Sequence, residues 1–159
     1  LRAGERTYQL LSQVAGRAGR AERPGRAYVQ TYAPDNPAMQ ALAANDRDGY
    51  LAVEREVRAE LELPPFGRLA AMILSAPSAE LVDRFALEAA GLAPNGEGIE
   101  LYGPAPAPIT VLRGRHRRRF LVKSPRAIDL SAYMAAWMGR LKVPSQVRVS
   151  VDIDPYSFL

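Results

Sequence analysis

The chain has 159 residues, a formal charge of +4, one histidine and no cysteine. No apolar run approaches the ~20 residues of a bilayer-spanning helix, no stretch has the basic start and apolar centre of a signal peptide, and a metal site built on cysteine is excluded. A hydrophobic content of 48% suffices for one or two modest cores.

The first predicted element is a helix in which Tyr8, Leu11, Val14 or Ala15 and Ala18 recur at helical spacing. After Gly25, the run Arg26-Ala27-Tyr28-Val29-Gln30-Thr31-Tyr32 reads as a short strand. Asp35-Asn36-Pro37 offers caps and a first-turn proline. Met39, Leu42, Tyr50, Val53, Val57 and Leu61 then mark one or two amphipathic helices that stop before Pro64-Pro65. Tandem proline ends a helix and stiffens a connector, so the domain boundary is expected there, giving domains 1–64 and 65–159.

Beyond the boundary, Leu69 to Ser75 suits a buried strand, and Ser78 caps a helix whose stripe is Leu81, Val82, Phe85, Ala86 and Ala89. Ile99 to Tyr102 and Ile109 to Leu112 read as strand pieces interrupted by Pro104, Pro106 and Pro108, which confine them to an edge or a bulge. Phe120-Leu121-Val122 forms another strand. Ser124-Pro125 is expected to open a helix through Leu130, Met134, Trp137 and Leu141. Val147, Val149, Val151 and Ile153 alternate with Arg148, Ser150 and Asp152, a half-buried final strand. The class is α+β, and the order βαββαβ over residues 67–154 is that of the ferredoxin-like split β-α-β arrangement, with both helices on one sheet face.

Charge is concentrated in two places. Arg113, Arg115, Arg117, Arg118, Arg119, Lys123 and Arg126 follow one another without an acidic residue, and six arginines face only Glu5 and Glu22 in the first 26 residues. Blocks of this density are a footprint of contact with phosphate backbones. The hexapeptide Arg113-Gly114-Arg115-His116-Arg117-Arg118 is expected at a hairpin tip, where Arg113, Arg115, His116, Arg117, Arg118 and Arg119 form the candidate DNA-binding set. No aromatic residue interleaves with them to stack on bases, so recognition of shape rather than base sequence is expected. His116 has no carboxylate or cysteine companions, and Asp152 and Asp154, which share a strand face, are poor cation ligands; no metal site is expected.

Gln13-Val14-Ala15-Gly16-Arg17-Ala18-Gly19-Arg20 carries a different chemistry. Arginines three apart on a helix share a face, and a guanidinium fork suits the oxygens of a phosphate in transfer. The string resembles the sixth conserved motif of superfamily 2 helicases. Together with Glu62-Leu63-Pro64-Pro65-Phe66-Gly67-Arg68-Leu69-Ala70, Tyr102-Gly103-Pro104-Ala105-Pro106-Ala107-Pro108-Ile109, Leu112-Arg113-Gly114-Arg115 and Val151-Asp152-Ile153-Asp154-Pro155, it makes the chain similar to the C-terminal part of the PriA family of replication-restart helicases, primosomal protein N′.

That resemblance implies that residues 1–64 end a RecA-like motor lobe 2, and that residues 65–159 form a C-terminal domain akin to a small ribosomal-subunit protein. It implies an ATP-dependent 3′→5′ DNA helicase in the bacterial cytoplasm, acting at stalled forks and loading the primosome. Arg17 and Arg20 would reach the γ-phosphate of ATP held by the other lobe, with Gln13 helping to position water or the arginines. The chain lacks a phosphate loop, an Asp-Glu box for magnesium and every cysteine of the family's zinc-binding insertion. ATP, magnesium and zinc are therefore expected elsewhere in a longer parent, and this piece alone is expected to be inactive. The family's binding of the acidic tail of single-stranded DNA-binding protein points to Lys123 and Arg126 as the contact. The competing reading is a freestanding adaptor of ribosomal-protein type whose arginine helix serves only as a nucleic-acid-binding arm.

Overall fold

A computed structural model describes residues 3–18 and 26–155. It divides into two compact units, Leu1–Val57 and Arg58–Leu159.

In the first unit, helix α1 (Ala3–Arg17) turns Tyr8 inward, where its ring stacks on that of Tyr50 at 4.7 Å and 12°. Tyr50 belongs to α3 (Arg47–Glu60), and Ala38 of α2 (Pro37–Ala44) completes a small core against Met39, Ala41 and Leu42. Local chemistry sets the helix ends. Asn36 Oδ1 accepts from Ala38 N at 2.9 Å ahead of Pro37, and Asn45 takes the left-handed conformation at the other end, with φ 54°. Asp46 Oδ1 accepts from Gly49 N at the start of α3. Of the apolar positions expected from Tyr50 onward, α3 buries only Tyr50; Val53 and Val57 stand exposed, as does Leu61 just past the helix end.

The strand expected over residues 26–32 does not form. Residues 26–30 carry no regular structure, and Tyr28 and Tyr32 are almost wholly exposed. The sequence has the right residues, but a strand exists through its ladder, and among the described residues this segment pairs with none.

The second unit is a four-stranded antiparallel sheet with two helices, in the order β1 (Gly67–Ala76), α4 (Ala79–Gly91), β2 (Glu100–Leu112), β3 (Arg115–Pro125), α5 (Leu130–Arg140) and β4 (Arg148–Ile153). The strands lie side by side as β2-β3-β1-β4. Strand side chains alternate between faces, and the register sorts them cleanly. Ala70, Met72, Leu74 and Ala76 of β1 share a face with Phe120 and Val122 of β3 and with Val149, Val151 and Ile153 of β4. That face packs against Val82, Phe85, Ala86 and Ala89 of α4 and Leu130, Met134 and Trp137 of α5. Trp137, fully buried, meets Phe120 edge-on at 5.2 Å and donates from Nε1 to the Ala89 carbonyl at 2.9 Å. Each such large side chain contributes about 1.5–3 kcal/mol by leaving water.

Ser78 caps α4 as expected, its Oγ accepting from Leu81 N. The start of α5 differs from expectation. Ser124 and Pro125 do not open a helix; they finish β3 opposite Arg68 and Gly67. The helix waits for Asp129, whose Oδ1 accepts from Ala132 N at 3.0 Å. Proline does confine β2 to the sheet's edge, and the register slips between Tyr102 and Ala105 and again between Pro106 and Val111. Gly103, at φ +115°, sits at the first slip, where a Cβ would stand 2.6 Å from the Arg119 carbonyl oxygen. Gly67 opens β1 so close to the preceding turn that a Cβ would collide with the Glu62 carbonyl oxygen. The string Glu62 to Ala70 thus encodes a backbone crossing as well as a connector.

Candidate nucleic-acid interface

The basic block is a strand rather than a tip. Only Arg113 and Gly114 make the β2–β3 turn, both in the left-handed region at φ 51° and 72°, with Leu112 facing Arg115 across it. That is the pattern of a two-residue hairpin turn of the primed type, whose twist matches the flanking strands. Arg115, His116, Arg117, Arg118 and Arg119 lie in β3 and are dealt to opposite faces. This corrects the expectation of six clustered side chains at the tip, because alternation separates neighbours that a loop would have pooled.

His116 and Arg118 fall on the helix-covered side, opposite Ala76 and Leu74. Arg118 is ion-paired with Asp83 of α4, with Nη2 donating to Oδ2 at 2.9 Å. It ties helix to sheet. Arg118→Ala should therefore lower stability in urea denaturation by about 1 kcal/mol and no more, because the pair is partly exposed.

Arg115, Arg117 and Arg119 fall on the face that carries no helix. Arg115 is held by neutral partners, its Nη2 donating to the carbonyls of Ser75 and Gln146, each at 2.7 Å. Arg117 is buried at 8% exposure, and its Nη1 donates to the Ile109 carbonyl at 3.4 Å. Register then supplies a residue that the sequence reading left out of the candidate set. Ser75 is opposed by Arg117 on one side and by Arg148 on the other, so Arg117, Ser75 and Arg148 form a row across three strands. An open hollow of about 760 Å³ lies over this row, lined by Ser75, Arg113, Arg115, Arg117, Arg148 and Ser150 among others, with no acidic residue in its wall. The visible signal for Arg148 was its place in the alternation of β4; what sequence could not show was which strand would lie beside it.

The far end of the same face is built differently. Lys123 Nζ stands 2.9 Å from Glu100 Oε1 and 3.8 Å from Glu62 Oε2, and Tyr102 donates its hydroxyl proton to Glu100. The Tyr102 bond, then Lys123, holds the Glu100 carboxyl below its ordinary range, while the bond to Glu100 raises the titrations of Tyr102 and Lys123. Arg68 pairs with Asp154 at 2.9 Å. Arg126 is exposed, with Nη1 donating to the Pro65 carbonyl at 3.3 Å. Lys123 and Arg126 thus do not flank a helix start: Lys123 is in β3 and already serves two carboxylates, and Arg126 follows the strand.

Gln13 and Arg17 lie exposed on α1, four residues apart, with Arg17 the helix's last residue. Arg20 lies outside the described residues. Among the described residues, no three histidine or carboxylate side chains gather where a metal ion could be held, and no helix is long and apolar enough to cross a membrane.

A family model described as the primosomal protein N C-terminal domain matches residues 59–156. The chain is similar to Replication restart protein PriA of Rickettsia conorii, 39% identical over 158 residues that cover 99% of this chain and 24% of that protein. PriA of a Synechocystis species is 36% identical, over 98% of this chain and 19% of its own length. PriA of Bacillus subtilis is 31% identical, over 99% and 20%. The chain spans a quarter or less of the length of these relatives, and the similarity takes in both units. By its fold, its motifs and the match over residues 59–156, the chain belongs to the primosomal protein N C-terminal domain family.

Proposed function

We propose that this chain is the C-terminal segment of a replication-restart helicase and that its second unit binds branched DNA at stalled forks. One observation supports this above others: Arg113, Arg115, Arg117 and Arg148 line one hollow without an acidic neighbour, while Arg68, Arg118 and Lys123 elsewhere on the sheet are each neutralised by carboxylates. Cations left unneutralised in a concave site attract a polyanion.

In this reading the first unit completes motor lobe 2 of a longer ATP-dependent 3′→5′ helicase that loads the primosome in the bacterial cytoplasm. Gln13, Arg17 and Arg20 serve ATP bound by the other lobe. The exposed Val53 and Val57 of α3 fit a unit that completes its packing within such a parent. Among the described residues no set fits zinc, and the chain has no cysteine; in this reading zinc belongs to the parent's insertion, as magnesium belongs with the nucleotide. The acidic tail of single-stranded DNA-binding protein would meet Arg126, whose partner here is a neutral carbonyl.

Titration of the chain with a fluorescent forked oligonucleotide tests the reading. Saturable binding that weakens steeply as salt rises is expected. A chain that binds no fork at low salt overturns it.

A further inference from the structure

Arg117 is an unusual group to bury. The residue is 8% exposed, and its guanidinium has one neutral hydrogen-bond acceptor, the Ile109 carbonyl. Among the described residues, no carboxylate lies within ion-pair distance of it. Burying a charge without a counter-charge is costly, and the arrangement is relieved by an anion entering from outside. Its surroundings suit that anion. Arg115, Arg117 and Arg119 repeat on the same face at every second residue, each about 6.8 Å from the next along the strand, which is the scale of successive phosphates on an extended nucleic-acid strand. Arg148 stands across the small Ser75. None of Arg113, Arg119 and Arg148 has an ion-pair partner among the described residues.

The face also has an end. Beyond Arg119 come Leu121 and then Lys123, which Glu100 and Glu62 neutralise, while Asp152 stands across Ala71 from Leu121. A phosphate backbone gains nothing there.

We propose that the basic end of the helix-free face seats one unpaired DNA strand by its backbone, over about three phosphates, from the Arg113 turn down β3 to Arg119 with Arg148 as the opposite wall. This rests on the reading that the second unit binds DNA and names the part of the fork it takes. A flexible single strand can bend a phosphate into the hollow over Arg117, whereas a duplex keeps its phosphates on a stiff convex cylinder. Ser75 and Ser150 leave room for close approach, and no aromatic side chain lines the hollow, so the bases face away and are not read.

Anisotropy titrations of the chain with a fluorescent oligothymidylate and with a blunt duplex of equal length, across a salt series, test this. The wild type should prefer the oligothymidylate, with log affinity falling against log salt at a slope of about −2, as about three neutralised phosphates on a single strand require. Arg148→Glu and Arg119→Glu remove no hydrogen bond seen here; with folding checked by circular dichroism, each should weaken oligothymidylate binding and flatten that slope by about 1 or more. Arg84→Glu, at an exposed position of α4, should change it far less. If the duplex is preferred, or if Arg84→Glu costs as much as Arg148→Glu, the strand seat is overturned while DNA binding by this unit stands. If neither probe binds, nor a fork, both fall together.

Discussion

Trp137→Ala should cost the chain about 3–5 kcal/mol, a large share of the ~5–15 kcal/mol that holds a domain of this size folded. The indole is fully buried where α5 meets the sheet, edge-on to Phe120 at 5.2 Å and to Tyr133 at 6.4 Å. Truncation opens a cavity between layers that β1 and β3 cannot close, since their inward positions are already filled by Met72 and Phe120. It also strips the Ala89 carbonyl of the Nε1 donor at 2.9 Å. Urea denaturation followed by far-ultraviolet circular dichroism measures the loss, because the chain's one tryptophan is the residue removed. Trp137→Phe keeps an aromatic body and loses the hydrogen bond, so it should cost roughly 1–2 kcal/mol from that bond plus a smaller packing deficit. Equal stability of Trp137→Ala and wild type would mean that α5 does not pack as described.

The second large effect concerns chemistry. In the full-length helicase that we propose, Arg17→Ala should lower ATP turnover by about 10³–10⁵-fold, the usual worth of an arginine that stabilises phosphoryl transfer. Arg17 is exposed at the last turn of α1 and pairs with no carboxylate seen among the described residues, so its removal should leave the melting temperature almost unchanged. Arg17→Lys keeps the charge but loses the planar fork and should recover little. DNA-stimulated ATP hydrolysis by the two variants, beside thermal melts, separates a role at the nucleotide from a structural one; near wild-type turnover in Arg17→Ala would remove this helix from the catalytic reading.

What could be read in the sequence was what neighbours along the chain decide. The Ser78 cap, the alternation of β4 and the edge position of the proline-rich strand depend on residues a few places apart, and all are found in the fold. The α5 start was misplaced because Ser124-Pro125, a plausible helix opening by itself, is claimed by a ladder with Gly67 and Arg68 more than fifty residues away. The run at residues 26–32 has strand composition without a ladder. The candidate site shows the same division. The density of arginine was plain, yet its meaning depended on period: one face of β3 sends Arg118 to Asp83, and the other keeps Arg115 and Arg117 for the hollow, with Arg119 further along the same face. Arg148 joins them only through β1, a proximity that no local pattern announces.

The borders of the sheet have a consequence for how the chain behaves among copies of itself. An unpaired strand edge is a template on which another chain can nucleate. Here β2 lacks backbone donors at Pro104, Pro106 and Pro108, and its two register slips break the regular row that a newcomer would copy. The opposite border, β4, is only six residues long and turns Arg148 and Asp152 to the solvent. Both margins therefore discourage sheet-to-sheet fusion, so the domain can be crowded, or made in quantity, with little tendency to seed fibrils.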